Sequence, residues 1–537
     1  MTPRDALTPR APFPERKLTF TADPVTVAAA LAAASEAPHL LYERDGSVVW
    51  SEGESAVVEA DGTTARLHGT DVEAAELPVG AHPLATVGEL LQRHTGGVGS
   101  AHGWIAFELT HAYHGGDAPT GAALARFVVP EREIELTSVA AVLRAADQAA
   151  LDELEELLRA AVRSAGEPPG ARVGVDLEEH ADRYRAAVAG TVRAIRAGEL
   201  DKAIVSRSVS VPVELDLPAT YVAGRRGHLP ARSFLLRHGG WEAAGFSPEI
   251  VARIDADGSV TAQPLAGTRA LTGDPAADAA RRAELHRDAK EVYEHAVSVR
   301  LVQEEMNAVC LPETVRTEEF MAVEERGSVQ HLASRLRGRL APGRDRWDAL
   351  AALFPAVTAS GIPKGSALDA IRRAEPGERG LYSGAVVRLE ADGTLDAALV
   401  LRTVLRRGGR TWLRAGAGVV ADSDPERELE ETREKLRAVS GHLVAVSRVE
   451  VSGAGAGAGA GTGTSVGTGA GTGSGAGMGT SAGTGSGAGM GTSAGTGTGA
   501  GTGTSADTGA GIGTDTGIGT DTDTDTGTDA VAVGARS

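Results

Sequence analysis

The stretch GAVVRLEADGTLDAALVLRTVLRRGGRTWLRAGAGVVADSDPERELEETREKLRAVSGHLVAVS, residues 384–447, holds strand-like runs at 384–390, 395–405 and 411–420. Asp392-Gly393 and Gly408-Gly409 separate them. Such dipeptides favour the tight turns that reverse a strand, so the runs read as three antiparallel strands. From about Pro425 to Ser447 the pattern turns helical. The same alternation continues upstream. A long helix is read over about 280–309, and hairpins over Ile250–Pro264 around Asp257-Gly258 and over Phe234–Ser247 around Gly239-Gly240. A strand at Lys202–Val213 follows a helix at about Glu179–Ala197, with Gly198 as a candidate C-cap.

Nearer the N-terminus, Leu40–Trp50 reads as a hairpin turning at Asp45-Gly46. A helix over 148–165 places Leu151, Leu154, Leu157 and Leu158 on one face. Glu167-Pro168-Pro169-Gly170 then interrupts the chain, as a domain boundary or as a loop. Hairpins alternate with helices and no βαβ crossover rhythm occurs. That pattern predicts an α+β fold with large antiparallel sheets covered by helices.

The ends differ in kind from the middle. Residues 1–20 are rich in Pro and charge and read as a loose arm, without the apolar stretch of a signal peptide. Residues 449–537 are almost all Gly, Ala, Thr, Ser and Asp, with an imperfect repeat marked by Met478 and Met490. Such a composition buries too little apolar surface to offset the entropy of ordering, so it reads as a flexible tail. From Val451 on there are six Asp and one Arg, leaving 66 acidic and 52 basic residues in the first 450, a net −14 of the total −19. That balance argues against nucleic acid and anionic membranes as partners. It does not exclude an anionic substrate, because local Arg, Lys and metal ions reverse the field in a cleft. The single cysteine, Cys310, forms no internal disulfide, and no run approaches 18 apolar residues. The cytoplasm is the expected compartment.

Two glutamate pairs stand at i, i+3: Glu291 with Glu294, and Glu428 with Glu431. Each pair shares one helical face, and two such faces brought together would suit Mg²⁺. Solvated helix faces carry the same spacing, and Glu431 has Lys435 one turn on as an ion-pair partner. The other candidates carry equally ordinary readings. Lys202 opens a strand, Glu249 follows Ser247-Pro248 between strands, and His331 lies in GSVQHL, read as a strand. Gly267-Thr268 reads as a turn after a strand, where backbone N–H groups could hold an anion. No Walker loop, Rossmann glycine fingerprint or GxSxG elbow is present.

Taken in order, KAIVSR (202–207), GFSPE (245–249), PLAGTRAL (264–271), KEVYEHAVSVR (290–300), RGSVQHL (326–332), FPAVTASGIPK (354–364), RGLYSGAVV (379–387), RAGAGVV (414–420) and ERELEETREKL (426–436) resemble the chorismate-utilising family. That family holds the anthranilate, aminodeoxychorismate, isochorismate and salicylate synthases. GSVQHL, TASGIPK and RGLYSGAVV are most similar to the salicylate synthases of siderophore pathways. The resemblance implies a single large domain over 21–448, with two stacked antiparallel sheets surrounded by helices. It thereby turns the Pro168-Pro169 break into a loop.

The resemblance also implies roles. Lys202 corresponds to the base that activates water, and Glu249 to the acid that protonates the departing C4 hydroxyl of chorismate. Glu291, Glu294, Glu428 and Glu431 correspond to the Mg²⁺ site, with Glu294 and Glu431 as direct ligands. Tyr382 and Arg402 correspond to the residues that hold the enolpyruvyl carboxylate. Gly267, Thr268, Thr358, Gly416 and Lys435 correspond to substrate-pocket positions, and His331 lines the same pocket. Relatives that use ammonia tend to have Gln in place of Lys202, so lysine favours water and no glutamine amidotransferase subunit is expected. Ala266 stands where aminodeoxychorismate synthases often carry a covalent lysine. Leu40-Leu41-Tyr42-Glu43 replaces the tryptophan-sensing LLES of anthranilate synthases. The implied enzyme is a monomeric, Mg²⁺-dependent isomerase and lyase that turns chorismate into isochorismate and then salicylate and pyruvate. An isochorismate synthase that stops after the first step is the alternative, and a non-catalytic homologue is a further one.

Overall fold

Leu40, Leu41 and Tyr42 are all buried, although successive side chains of a strand point to opposite faces. Their sheet is therefore covered on both sides. Leu41 packs outward with Val27, Leu151 and Tyr221 of the helices Pro24–Ala34, Gln148–Ser164 and Leu217–Gly227. Leu40 and Tyr42 face Trp104, Val386 and Ala398 of a second sheet. A computed structural model describes residues 13–446, apart from 71, 97, 98, 117, 167–169 and 328. Among these residues stand an eleven-stranded and a twelve-stranded sheet, stacked through that shared core, and every registered strand pair between named strands is antiparallel. The outer face of the second sheet is covered by Pro83–Thr95, Ala289–Asn307 and Arg346–Leu353. The α+β reading holds, and no described helix is long and apolar enough to cross a membrane.

The predicted hairpins form where glycine supplies the turn. Gly239 and Gly240 have φ of 63° and 75°, which matches the twist of the flanking strands Arg232–His238 and Trp241–Ser247. Other expectations need correction. The run 395–405 is not one strand. It divides into Leu395–Leu399 and Thr403–Arg407, which belong to different sheets. Arg402 takes φ 50° at the break, so the chain steps from one sheet to the other there. A second crossing lies beside it, where Trp241–Ser247 passes through Pro248-Glu249 into Ile250–Ile254. The crossings are tied together, because Phe246 N donates to Arg402 O at 3.2 Å and Leu399 N to Glu249 O at 3.2 Å.

The helix expected over 280–309 is two, Pro275–Leu285 and Ala289–Asn307. Asp288 separates them, its side chain accepting from the N–H groups of Lys290 and Glu291 as an N-cap. The last helix ends at Ser440, short of 447. Gly267-Thr268 lies within the strand Leu265–Ala270 rather than in a turn after it, and a register shift falls at this point. Glu15–Thr19, read as part of a loose arm, pairs with Ala140–Arg144, and Arg16 reaches Glu155 at 2.6 Å. Residues 1–12, the Pro168-Pro169 break and the tail from 447 lie outside the described residues. Helices before and strands after that break share one core cluster, so no domain boundary falls there.

Candidate active site

The two sheet crossings bring Glu249 and Arg402 to one cavity. Burial dominates the chemistry of both. Glu249 is 3% exposed, and its carboxyl is pushed up to about 8 by burial, against the hydrogen bond from Thr358 and the charge of Lys202. Thr358 Oγ1 donates to Glu249 Oε1 at 2.6 Å, so the acid's own proton belongs on Oε2. Arg402 is lowered to about 10, chiefly by burial, and no described carboxylate lies within ion-pair distance of it.

His331, on the strand Val329–Arg339, stands between Arg402 and Thr268. Its Nε2 is 3.4 Å from Arg402 Nη2, and its Nδ1 is 3.0 Å from Thr268 Oγ1. Arginine only donates, so Nε2 carries the lone pair and Nδ1 the proton. Burial, then the Arg402 charge, holds the ring well below the ordinary histidine range and therefore neutral.

Lys435, on the helix Pro425–Ser440, donates to Glu431 Oε1 at 2.7 Å and Gly416 O at 2.8 Å. Burial opposes its charge, but Glu431 outweighs burial and raises its pKa. Tyr382 lies in the wall beneath Arg414 and Arg379, whose guanidinium carbons stand 5.5 and 5.7 Å from its ring. Gly267 takes φ 83° at the register shift, and Gly418 leaves no room for a Cβ beside the Glu294 carboxylate.

Three expected residues do not line the cavity. Lys202 is fully buried behind it, 3.0 Å from Glu294 Oε1 and 3.0 Å from Ser298 Oγ. Glu291 and Glu428 also stand behind the wall. Burial and the charge of Glu431 raise both above the ordinary carboxylate range. Burial would raise Glu431 as well, but Lys435 and Lys290 pull it below that range. Lys290 was not foreseen. Its ammonium lies 2.8 Å from Glu428 Oε1 and 3.9 Å from Glu291 Oε1. Burial disfavours its charge, and the four glutamates outweigh that. Arg414 was also missed, although it heads the quoted run RAGAGVV; it lines the cavity and is held by Glu375.

The four glutamates offer carboxylate oxygens, the donors a hard divalent cation takes. Both Glu428 oxygens are buried without a well-aligned hydrogen bond, as metal-facing oxygens would be. The donor set fits Mg²⁺ in kind. Here each glutamate is instead matched by a side-chain cation: Lys202, Arg269, Lys290 or Lys435. Among the described residues no three acidic or histidine side chains form a compact set of ligands.

Residues 37–441 match the chorismate binding enzyme family. The chain is 44% identical over 432 residues to a salicylate synthase of Mycolicibacterium paratuberculosis, covering 79% of this chain and 94% of that one. It is 42% identical over 259 residues to anthranilate synthase component 1 of Streptomyces coelicolor, a match spanning 48% of this chain and half the length of that relative. Among solved structures, anthranilate synthase component I from Streptococcus pneumoniae superposes with a TM-score of 0.63 at 25% identity, over 76% of this chain and 93% of that one. The menaquinone-specific isochorismate synthase of Escherichia coli shares the fold, with a TM-score of 0.63 at 21% identity over 81% and 95% of the two chains. With its family match over three-quarters of its length and its acid, arginine and histidine gathered in one cavity, this chain belongs to the chorismate binding enzyme family.

Proposed function

We propose that this chain is a Mg²⁺-dependent salicylate synthase, adding water at C2 of chorismate to form isochorismate and then releasing pyruvate to leave salicylate. The observation that carries this reading is Glu249, a carboxyl that keeps its proton to about pH 8 inside the cavity. Loss of the C4 hydroxyl needs such an acid, and Oε2 is the atom that gives the proton. Arg402, steadied by neutral His331, supplies donors for a substrate carboxylate, with Tyr382 in the same wall. When bound, Mg²⁺ held by Glu294 and Glu431, with Glu291 and Glu428 acting through water, would neutralise the ring carboxylate that the glutamates otherwise repel.

Lys202 is assigned as the base for the attacking water. Lys202 takes that proton as the neutral amine; because Glu294 stands between its nitrogen and the cavity, the proton reaches it across that carboxylate or after a shift of the lysine chain. The second step is internal to isochorismate, and the walls contribute by holding it in a compact conformer. Neither step uses ammonia, so no amidotransferase partner is required. The test is to incubate the purified chain with chorismate and Mg²⁺ and identify the products. Salicylate with equimolar pyruvate supports the assignment. Isochorismate without pyruvate would make the chain an isochorismate synthase, and ammonia-dependent anthranilate would overturn the water reading.

A further inference from the structure

Buried cations in this protein are paired with carboxylates, with two exceptions. Among the described residues, every arginine and lysine under 10% exposed has an acidic partner within 4.0 Å except Arg402 and Arg207. Arg402 lines the catalytic cavity. Arg207 lines a second, smaller one on the far side of Arg414, which borders both.

Arg207 is 5% exposed. Its Nε donates to Thr432 Oγ1 at 2.9 Å and its Nη1 to Glu179 O at 2.9 Å, while Nη2 has no partner. The acids around it are engaged elsewhere. Glu178 pairs with Arg433 at 2.7 Å, and Glu179 accepts from the Ser210 backbone and hydroxyl. Arg183, exposed on the first turn of the helix Ala181–Arg196, adds positive charge at the rim. A buried cation with no carboxylate within ion-pair distance is unfavourable, and the cavity that Arg207 lines is where an anion can approach its guanidinium. Ser206 and Ser208 also line the cavity, and the apolar part of its wall comes from Ala187, Ala374, Pro376 and the ring of Tyr184.

We propose that this second cavity is a binding site for a small organic carboxylate. The carboxylate sits on Arg207 and Arg183, and the apolar body lies against Tyr184, Ala187, Ala374 and Pro376. The site is separate from the proposed reaction and stands whether or not that reaction is the right one.

The experiment titrates benzoate, and in parallel inorganic phosphate, into the full chain by calorimetry. The parent is Arg402→Gln, which silences the arginine of the catalytic cavity. The parent binds benzoate at one site. Adding Arg207→Met weakens that binding tenfold or more, the loss expected for one charge-assisted contact. Ala187→Phe, which fills the cavity from its helical wall and leaves Arg207 in place, gives the same loss. Without ligand, Arg207→Met melts no lower than its parent, because an unpaired buried charge is exchanged for an apolar chain. Benzoate raises the melting temperature of the parent alone. Benzoate affinity untouched by Ala187→Phe would overturn the proposal, as would no benzoate binding in the parent, or binding of phosphate but not benzoate. A melting point many degrees lower for Arg207→Met, with benzoate binding intact in Ala187→Phe, would make Arg207 a structural tie to Thr432 and Glu179.

Discussion

Replacing Glu249 by glutamine tests the mechanism and the electrostatics in one protein. The amide of Glu249→Gln keeps the shape and still accepts from the Thr358 hydroxyl, but it has no acidic proton to give. A positioned general acid contributes about 10²–10⁴ in rate, so chorismate turnover falls by about that factor. Conversion of supplied isochorismate changes less than about tenfold, because no C4 hydroxyl leaves in that step. The wild-type pH profile follows from the same group. Since Glu249 holds its proton to about pH 8, kcat/KM for chorismate declines above that pH, and the isochorismate reaction lacks this limb. Stability moves in a definite direction. The folded pKa of about 8 lies above the ordinary 4.5, so this group's contribution is full below pH 4.5 and is lost as pH rises through 8. Those values bound the loss at roughly 5 kcal/mol. Urea unfolding at pH 5 and pH 8.5 then shows a smaller fall for Glu249→Gln than for wild type. The assays are salicylate fluorescence and pyruvate release on each substrate. Equal losses on both substrates would refute the assignment of Glu249 to the first step, and identical pH slopes of stability would refute its buried, protonated state.

Glu294→Ala or Glu431→Ala abolishes turnover with the circular dichroism spectrum of the folded chain retained, although each lowers the melting temperature by stranding buried Lys202 or half-buried Lys435, and excess EDTA inactivates the wild type reversibly; full activity in EDTA would remove the metal from the mechanism. Lys202→Met stops conversion of chorismate and spares much of the conversion of isochorismate. It also lowers the melting temperature, because leaving one member of a buried pair alone costs about 3–5 kcal/mol. Gly418→Ala pushes a methyl into the Glu294 carboxylate and lowers turnover at least about tenfold, with Mg²⁺ affinity, read by calorimetry, falling in step. A Gly418→Ala enzyme of normal affinity and rate would show that Glu294 moves freely in use.

The parts of the fold legible in the sequence are those with local causes. Asp45-Gly46, Gly239-Gly240 and Gly408-Gly409 form turns because their own backbones accept positive φ, and each hairpin was predictable from its dipeptide. Asp288 had a local cause as well. An aspartate three residues before Glu291 caps a new helix, a signal hidden by the absence of Gly or Pro in the run around it. The step between sheets at Arg402 is different in kind. Val400, Leu401 and Arg402 carry no turn signal, and their conformation is set by distant partners: Ser383 N donates to Val400 O, and Phe246 N to Arg402 O. A continuous apolar run therefore read as one strand where tertiary contacts make two.

The same division separates the carboxylates from their counter-ions. Helical spacing puts Glu291 with Glu294, and Glu428 with Glu431, on shared faces, and this much is arithmetic on the sequence. Which cation answers each glutamate depends on how two helices and a strand meet. Lys202 reaches Glu294 from 92 residues upstream, and Lys290 reaches Glu428 from 138 residues upstream. These pairings explain how so acidic a cluster stands folded with its charges matched by side chains. They also set a condition on any divalent cation that binds there. It must repay the loss of the Lys290–Glu428 and Lys202–Glu294 contacts, so its measured affinity is the difference between two sets of charge pairs and not the strength of the ligands alone.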